Sequence, residues 1–186
     1  MRSVSRAAAA ALVLLGLLAG ALLADPGDDA PDGGAVRPDG PLERGRVTAV
    51  VDGDTVHVRA GGASTTVRLA LVDAPESSRL RYGHAECGGA QATRFLRGLV
   101  AGREVRLRRP GGEDRDRYGR AVRELVVDER SVDLALLEAG WARPYRVPSR
   151  DGGAAANRAA RAAADAARRA DRGAWALCGG FGRRAD

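Results

Sequence analysis

Three acids, Asp54, Asp73 and Glu76, and two arginines, Arg68 and Arg120, fall at or near the ends of stretches with strand character. Carboxylates bind hard divalent cations through oxygen, and guanidiniums grip phosphate through paired N–H donors. Together they are the equipment of metal-assisted phosphodiester cleavage. Asp54 and Asp73 are the candidate calcium ligands, because calcium accepts carboxylates, carbonyls and water at flexible geometry. Arg68 interrupts the apolar run Val67-Arg-Leu-Ala-Leu-Val72, where a cation needs an anionic partner. Its alternation with Thr66 and Ala70 leaves open the alternative that it points outward. Asp52 reads as a turn former or a support for the ligands. Tyr118 and Tyr145 are placed to stack on a base or sugar, Tyr82 less so, while Phe95, Trp141 and Trp175 are expected to fill the core. Two cysteines and two distant histidines, His57 and His84, offer no zinc spacing.

Short elements must carry these residues. Gly45 to Val51 and Thr55 to Arg59 read as strands joined by the tight turn Asp52-Gly53. A third strand, Thr65 to Val72, would end just before Asp73. Helical spacing of Ala92, Phe95, Leu96 and Leu99 predicts a helix over Ala85 to Val100, stopped at Gly102. Arg103 to Arg109 and Arg120 to Val127 are the fourth and fifth strands. Ser131 caps a second helix ended by Gly140, and the Ala-rich stretch Asn157 to Arg172 is a third. Its arginines are interleaved with Asp165 and Asp171, so a structural helix with a solvated face is favoured over a nucleic-acid arm. The pattern predicts an α+β, mainly β fold: a five-stranded Greek-key barrel of the OB type with three helices.

The chain of 186 residues has room for about one domain once its ends are set aside. Arg2 and Arg6 precede an uncharged apolar run, Ala7 to Ala24, in the order of a secretory signal. Cleavage after Ala21 or Ala24 is expected, with retention as an amino-terminal anchor the alternative. Residues 25–43 read as a disordered acidic Gly/Pro linker, residues 44–178 as the folded domain and 179–186 as a tail. All 30 basic residues are arginine, as GC-rich coding would produce, so arginine excess alone is weak evidence for nucleic acid. Its distribution says more: residues 25–40 carry −4 and residues 41–186 carry +8. A basic body suits a polyanion. Cys87 and Cys178 in an exported chain favour a disulfide, with two buried thiols as the alternative.

The segments Val51-Asp-Gly-Asp-Thr55, Val67-Arg-Leu-Ala-Leu-Val-Asp-Ala-Pro-Glu76 and Asp116-Arg-Tyr-Gly-Arg120 resemble, in order and spacing, the staphylococcal nuclease family. The resemblance runs from about Gly45 to Trp175 and also implies the OB-type fold. It further implies that Asp54, Asp73 and the Ala74 carbonyl hold calcium, that Glu76 positions and deprotonates the attacking water, and that Arg68 and Arg120 bind the phosphate. The family commonly has Thr at the place of Ala74, a change that keeps the carbonyl and loses a hydroxyl. The expected protein is a secreted monomer, needing no protein partner, that cuts DNA and RNA on the 5′-oxygen side and leaves 3′-phosphates. An OB-type module that binds nucleic acid without cutting is the main alternative; a cell-surface oligosaccharide binder is disfavoured by the basic body and scarce Trp.

Overall fold

Five strands close on themselves through one long-range pairing. In the computed structural model, which describes residues 43–78, 83–111, 114–148 and 152–184, the strands are β1 (Glu43–Val50), β2 (Thr55–Ala60), β3 (Ala63–Leu69), β5 (Glu104–Arg108) and β6 (Ala121–Val127). They hydrogen-bond in the order β3-β2-β1-β5-β6, and a parallel β3–β6 pairing completes a mixed barrel. Its register sets Val67 against Ala121, Arg68 against Val122 and Leu69 against Arg123. The described residues fall within one unit, Gly33–Asp186. Tyr82 and the leader lie outside the described residues.

Period-two alternation gives the barrel its interior. Val56, Val58, Val67, Leu69, Val105, Leu107, Leu125 and Val127 turn inward and are buried. The helix α1 (Gly89–Val100) covers the barrel with Ala92, Leu96 and Val100, which share one face at the predicted spacing. It starts at Gly89 rather than Ala85, because the Glu86 N–H donates to the Glu76 carbonyl (2.8 Å) and holds the preceding residues in a turn. The helix α2 (Val132–Glu138) is capped as expected, with the Leu134 N–H donating to Ser131 Oγ at 3.2 Å. The helix α3 (Gly153–Arg169) buries the stripe Ala156, Ala160, Ala164 and Ala167 and leaves Arg158, Arg161, Arg168 and Arg169 exposed.

Two expectations are corrected. The third strand stops at Leu69: the Ala70 N–H makes the last bond of the parallel ladder, to the Arg123 carbonyl (3.0 Å), the Leu71 N–H turns to Asp133 Oδ1 (3.0 Å), and Val72–Asp73 forms a separate strand, β4, paired with β8 (Arg143–Pro144). Asp73 therefore sits on a second small sheet. A fourth short helix, α4 (Ala174–Cys178), joins the three expected, and β7 (Arg130–Ser131) extends β6 into a hairpin. Pairings two residues long leave no periodic signal in sequence.

Close backbone approach fixes the turn before β2. A Cβ on Gly53 would lie 2.7 Å from the Ala74 Cβ and 2.9 Å from the Ala92 Cβ. Only glycine lets this turn lie against β4 and α1 at once.

Candidate active site

Asp54 enters the site because Asp52 folds the turn. The Asp54 N–H donates to Asp52 Oδ1 (3.1 Å), the turn geometry expected of Asp52. The Asp54 carboxylate then accepts from Thr55 Oγ1 (3.0 Å) and from the Ala74 N–H (3.0 Å). Ala74, expected to lend its carbonyl to a metal, is thus tied by its own N–H to the first acid. Burial pushes the Asp54 carboxyl up to about 6; Arg68 pulls it down, and Asp52 pushes it further up.

Arg68 leaves β3 on the face opposite the buried Val67 and Leu69, where it lines the cleft instead of standing free in solvent. Its Nη1 donates to the carbonyls of Leu69 (2.7 Å) and Val72 (2.6 Å), which turns the broken strand end into a socket. Nη2 lies 3.3 Å from Asp54 Oδ2 and 3.4 Å from Asp73 Oδ1, bridging the two acids. The other Asp73 oxygen, Oδ2, takes Nε (2.7 Å) and Nη2 (2.6 Å) of Arg143, a residue that carries no local signal because its partner lies 70 positions away.

Arg120 is set by its own motif. Asp116 accepts from the Arg120 backbone N–H (3.0 Å) and from its Nε (2.6 Å), and from the Tyr118 N–H (2.9 Å). Burial raises the Asp116 carboxyl, but these hydrogen bonds outweigh it and hold the group below the usual carboxylate range. Sequence reading missed Asp116, although its spacing four residues before Arg120 was visible. Arg120 Nη1 reaches Thr55 Oγ1 at 3.4 Å, so the same hydroxyl touches the Asp54 and Arg120 sides of the cleft.

Asp54, Arg68, Asp73, Glu76 and Arg120, with Thr66, Arg117 and Tyr118, line one cleft of about 700 Å³. A neighbouring hollow of about 450 Å³ shares Arg68, Arg120 and Tyr118 and adds Tyr145. The tyrosines are 68% (Tyr118) and 54% (Tyr145) exposed, so neither fills the core. Arg120 lies 5.4 Å from the Tyr118 ring centre and Arg68 lies 5.7 Å from that of Tyr145, which puts an aromatic face beside each guanidinium.

Glu76, too, is raised by its surroundings. Partial burial and then the charges of Asp54, Asp52, Glu86 and Asp73 raise it to about 7. Burial is the largest cause at both acids; at Glu76 the four neighbouring carboxylates add an excess of negative charge. A divalent cation would relieve that excess, and the donors offered are all oxygen, the set that suits a hard ion. Among the described residues no three carboxylate, imidazole or thiol side chains form a metal cage. A cation would therefore draw on Asp54 and Asp73, on backbone oxygen such as that of Ala74, and on water. The residues fit such an ion.

The profile described as "Staphylococcal nuclease homologue" matches residues 66–177, more than half of the 186. Endonuclease YncB of Bacillus subtilis is 37% identical over 93 residues, covering 50% of this chain and 44% of that protein. An uncharacterized endonuclease of Haemophilus influenzae is 34% identical over 107 residues, covering 57% and 54%, and endonuclease YhcR of Bacillus subtilis is 32% identical over 107 residues, covering 54% and 9%. The chain spans about half, or less, of the length of these relatives. With the barrel, the single cleft for acids and arginines and this match in hand, the chain belongs to the staphylococcal nuclease homologue family.

Proposed function

We propose that this protein is an exported, calcium-dependent nuclease that hydrolyses phosphodiester bonds of DNA and RNA with little base preference. The observation that carries this reading is the gathering of three acids and two arginines in one cleft. A module that only bound nucleic acid would need the arginines and would gain nothing from the acids.

Glu76 handles the water. Beside a bound divalent cation its carboxylate is ionised at neutral pH and able to accept a proton as water attacks phosphorus. Arg68 and Arg120 meet the charge that grows on the phosphoryl oxygens, held in advance by Leu69, Val72 and Asp116 so that little rearrangement is needed. The bond to the 5′-oxygen breaks and a 3′-phosphate remains. Calcium, held by Asp54, Asp73 and the Ala74 carbonyl, would supply Lewis-acid polarisation of a phosphoryl oxygen when bound. Tyr118 and Tyr145 offer faces for bases or sugars on either side.

Export rests on the basic start and apolar run of residues 2–24, and the disulfide of the folded domain agrees with an oxidising destination. Among the described residues no helix is long and apolar enough to cross a membrane. The decisive assay incubates purified protein with plasmid DNA and with RNA, in calcium or in excess chelator. Cleavage in calcium, lost on chelation and lost in Glu76→Gln, is expected. Binding without cleavage in calcium would hand the case to a nucleic-acid-binding module, and turnover in chelator would remove the metal.

A further inference from the structure

Glu76 is held from behind by a structure that none of the five cleft residues explains. The Glu76 N–H donates to Glu86 Oε2 (3.2 Å), and the Glu86 N–H donates back to the Glu76 carbonyl (2.8 Å). One residue thus binds both sides of the Glu76 backbone. Beside it, a Cβ on Gly89 would stand 2.4 Å from the Glu76 carbonyl oxygen, so the first turn of α1 lies directly against this segment. The next residue after Glu86 is Cys87, bridged to Cys178 of α4. The Cys87 N–H also donates to the Arg183 carbonyl (2.8 Å), and Glu86 pairs with Arg184 as an isolated bridge. Arg183 and Arg184 are thereby laid along Glu86 and Cys87.

The geometry points to Glu86 as a positioning residue for Glu76, kept in register by the Cys87–Cys178 disulfide, so that cleavage depends on oxidation of that cysteine pair. This rests on Glu76 being the group that handles water. Glu86 touches neither substrate nor metal in this scheme; it fixes where the Glu76 backbone leaves β4, and with it the reach of the carboxylate. A displacement of about 1 Å at such a group costs up to on the order of a hundredfold in rate. The activating step is a thiol–disulfide exchange. A partner disulfide R–S–S–R takes two electrons from the Cys87 and Cys178 thiols and leaves as two R–SH while the intramolecular S–S bond forms. In a reducing compartment the cysteines stay as thiols, the support behind Glu86 is released, and the nuclease is slow where nucleic acid of its own cell is at hand.

The test measures kcat and KM on a duplex oligonucleotide in calcium for the wild type, Glu86→Ala, Glu86→Gln and Glu76→Gln, with near-ultraviolet circular dichroism as the folding control. Glu86→Ala should lose about tenfold or more in kcat with KM within about twofold, and Glu86→Gln, which keeps a side-chain carbonyl acceptor, should stay within about threefold of wild type. Dithiothreitol, at a temperature where the dichroism is unchanged, should slow the wild type by a similar factor and add little to the loss in Glu86→Ala. Amide exchange at Glu76 reads the clasp without turnover: it should quicken in Glu86→Ala and in the reduced wild type, and not in Glu86→Gln. Full kcat in Glu86→Ala while Glu76→Gln is inactive overturns this inference and leaves the proposed function standing. Full kcat in Glu76→Gln overturns both. Equal losses in the Ala and Gln variants, or a reduced wild type as fast as the oxidised one, also refute it.

Discussion

Asp133 is the most exacting place to test the physics of this fold, because it is fully buried and takes no part in the proposed chemistry. Its Oδ1 accepts from the Leu71 N–H (3.0 Å) and its Oδ2 from the Leu125 N–H (3.2 Å), so one carboxylate at the start of α2 ties the broken end of β3 to β6. Burial, with the charge of Glu124 beside it, pushes this carboxyl up to about 7 from 3.8, against the pull of those two hydrogen bonds. An acid raised on folding contributes stability that is fully present below its unfolded value and is lost as pH rises through the folded one. Asn at this place keeps one acceptor and turns an NH₂ toward a backbone N–H, a loss of about 1 to 3 kcal/mol for the unsatisfied buried group. That cost is paired with relief from burying a charge. Between pH 5 and pH 8 the wild type should lose about 2 to 3 kcal/mol relative to Asp133→Asn, the product of roughly two pH units and about 1.36 kcal/mol each. Urea unfolding of both proteins at the two pH values gives the difference directly. The variant should be clearly weaker at pH 5 and close to wild type, or stronger, at pH 8. A gap that is flat or widens with pH would refute the assignment of the proton to Asp133.

The other predictions concern the bridge and the cleft. With Cys87 and Cys178 separated by 91 positions, the chain-entropy model assigns the bond about 4 to 5 kcal/mol, so Cys87→Ser/Cys178→Ser should melt on the order of 10 to 20 °C lower by circular dichroism. A change under about 3 °C would contradict it. Asp54→Asn and Asp73→Asn should each raise the calcium concentration for half-maximal cleavage, read by titration at fixed substrate; the same midpoint in both would remove them as ligands. Arg120→Ala should lower kcat about a hundredfold with folding intact, and Asp116→Ala should lower it less, since Asp116 only orients the guanidinium. Equal losses in the two would refute the view that Asp116 only helps to orient the guanidinium.

What was legible in the sequence was whatever has local cause. Alternation along Thr55 to Arg59 and Arg103 to Arg109, the helical spacing of Ala92, Phe95, Leu96 and Leu99, and the Ser131 cap each state their structure within a few residues. The β3–β6 closure does not, since its partners are distant and the parallel register has no turn to announce it. The five cleft residues were readable from their types and spacing, and the structure brings them together. Arg143 on Asp73, Asp133 under both strands and Glu86 on Glu76 were not, because each is a polar residue whose reason lies in a partner supplied by another element. The third strand was read too long because Ala70 and Leu71 are apolar and buried like the strand before them; where it ends, the Leu71 N–H leaves the ladder for the Asp133 side chain, a partner 62 positions away and invisible to periodicity.

The parallel seam between β3 and β6 also governs when this molecule becomes dangerous. Arg68 lies in that seam and Arg120 immediately precedes it, so the two arginines meet only once strands far apart in the chain have paired. Pairings of this kind are closed late, after the entropy of a long intervening loop has been overcome. A chain that has formed only its first hairpins holds the Asp54 turn and Arg68 without Arg120. On the proposed mechanism, cutting ability is then a property of the completed barrel and of no fragment of it.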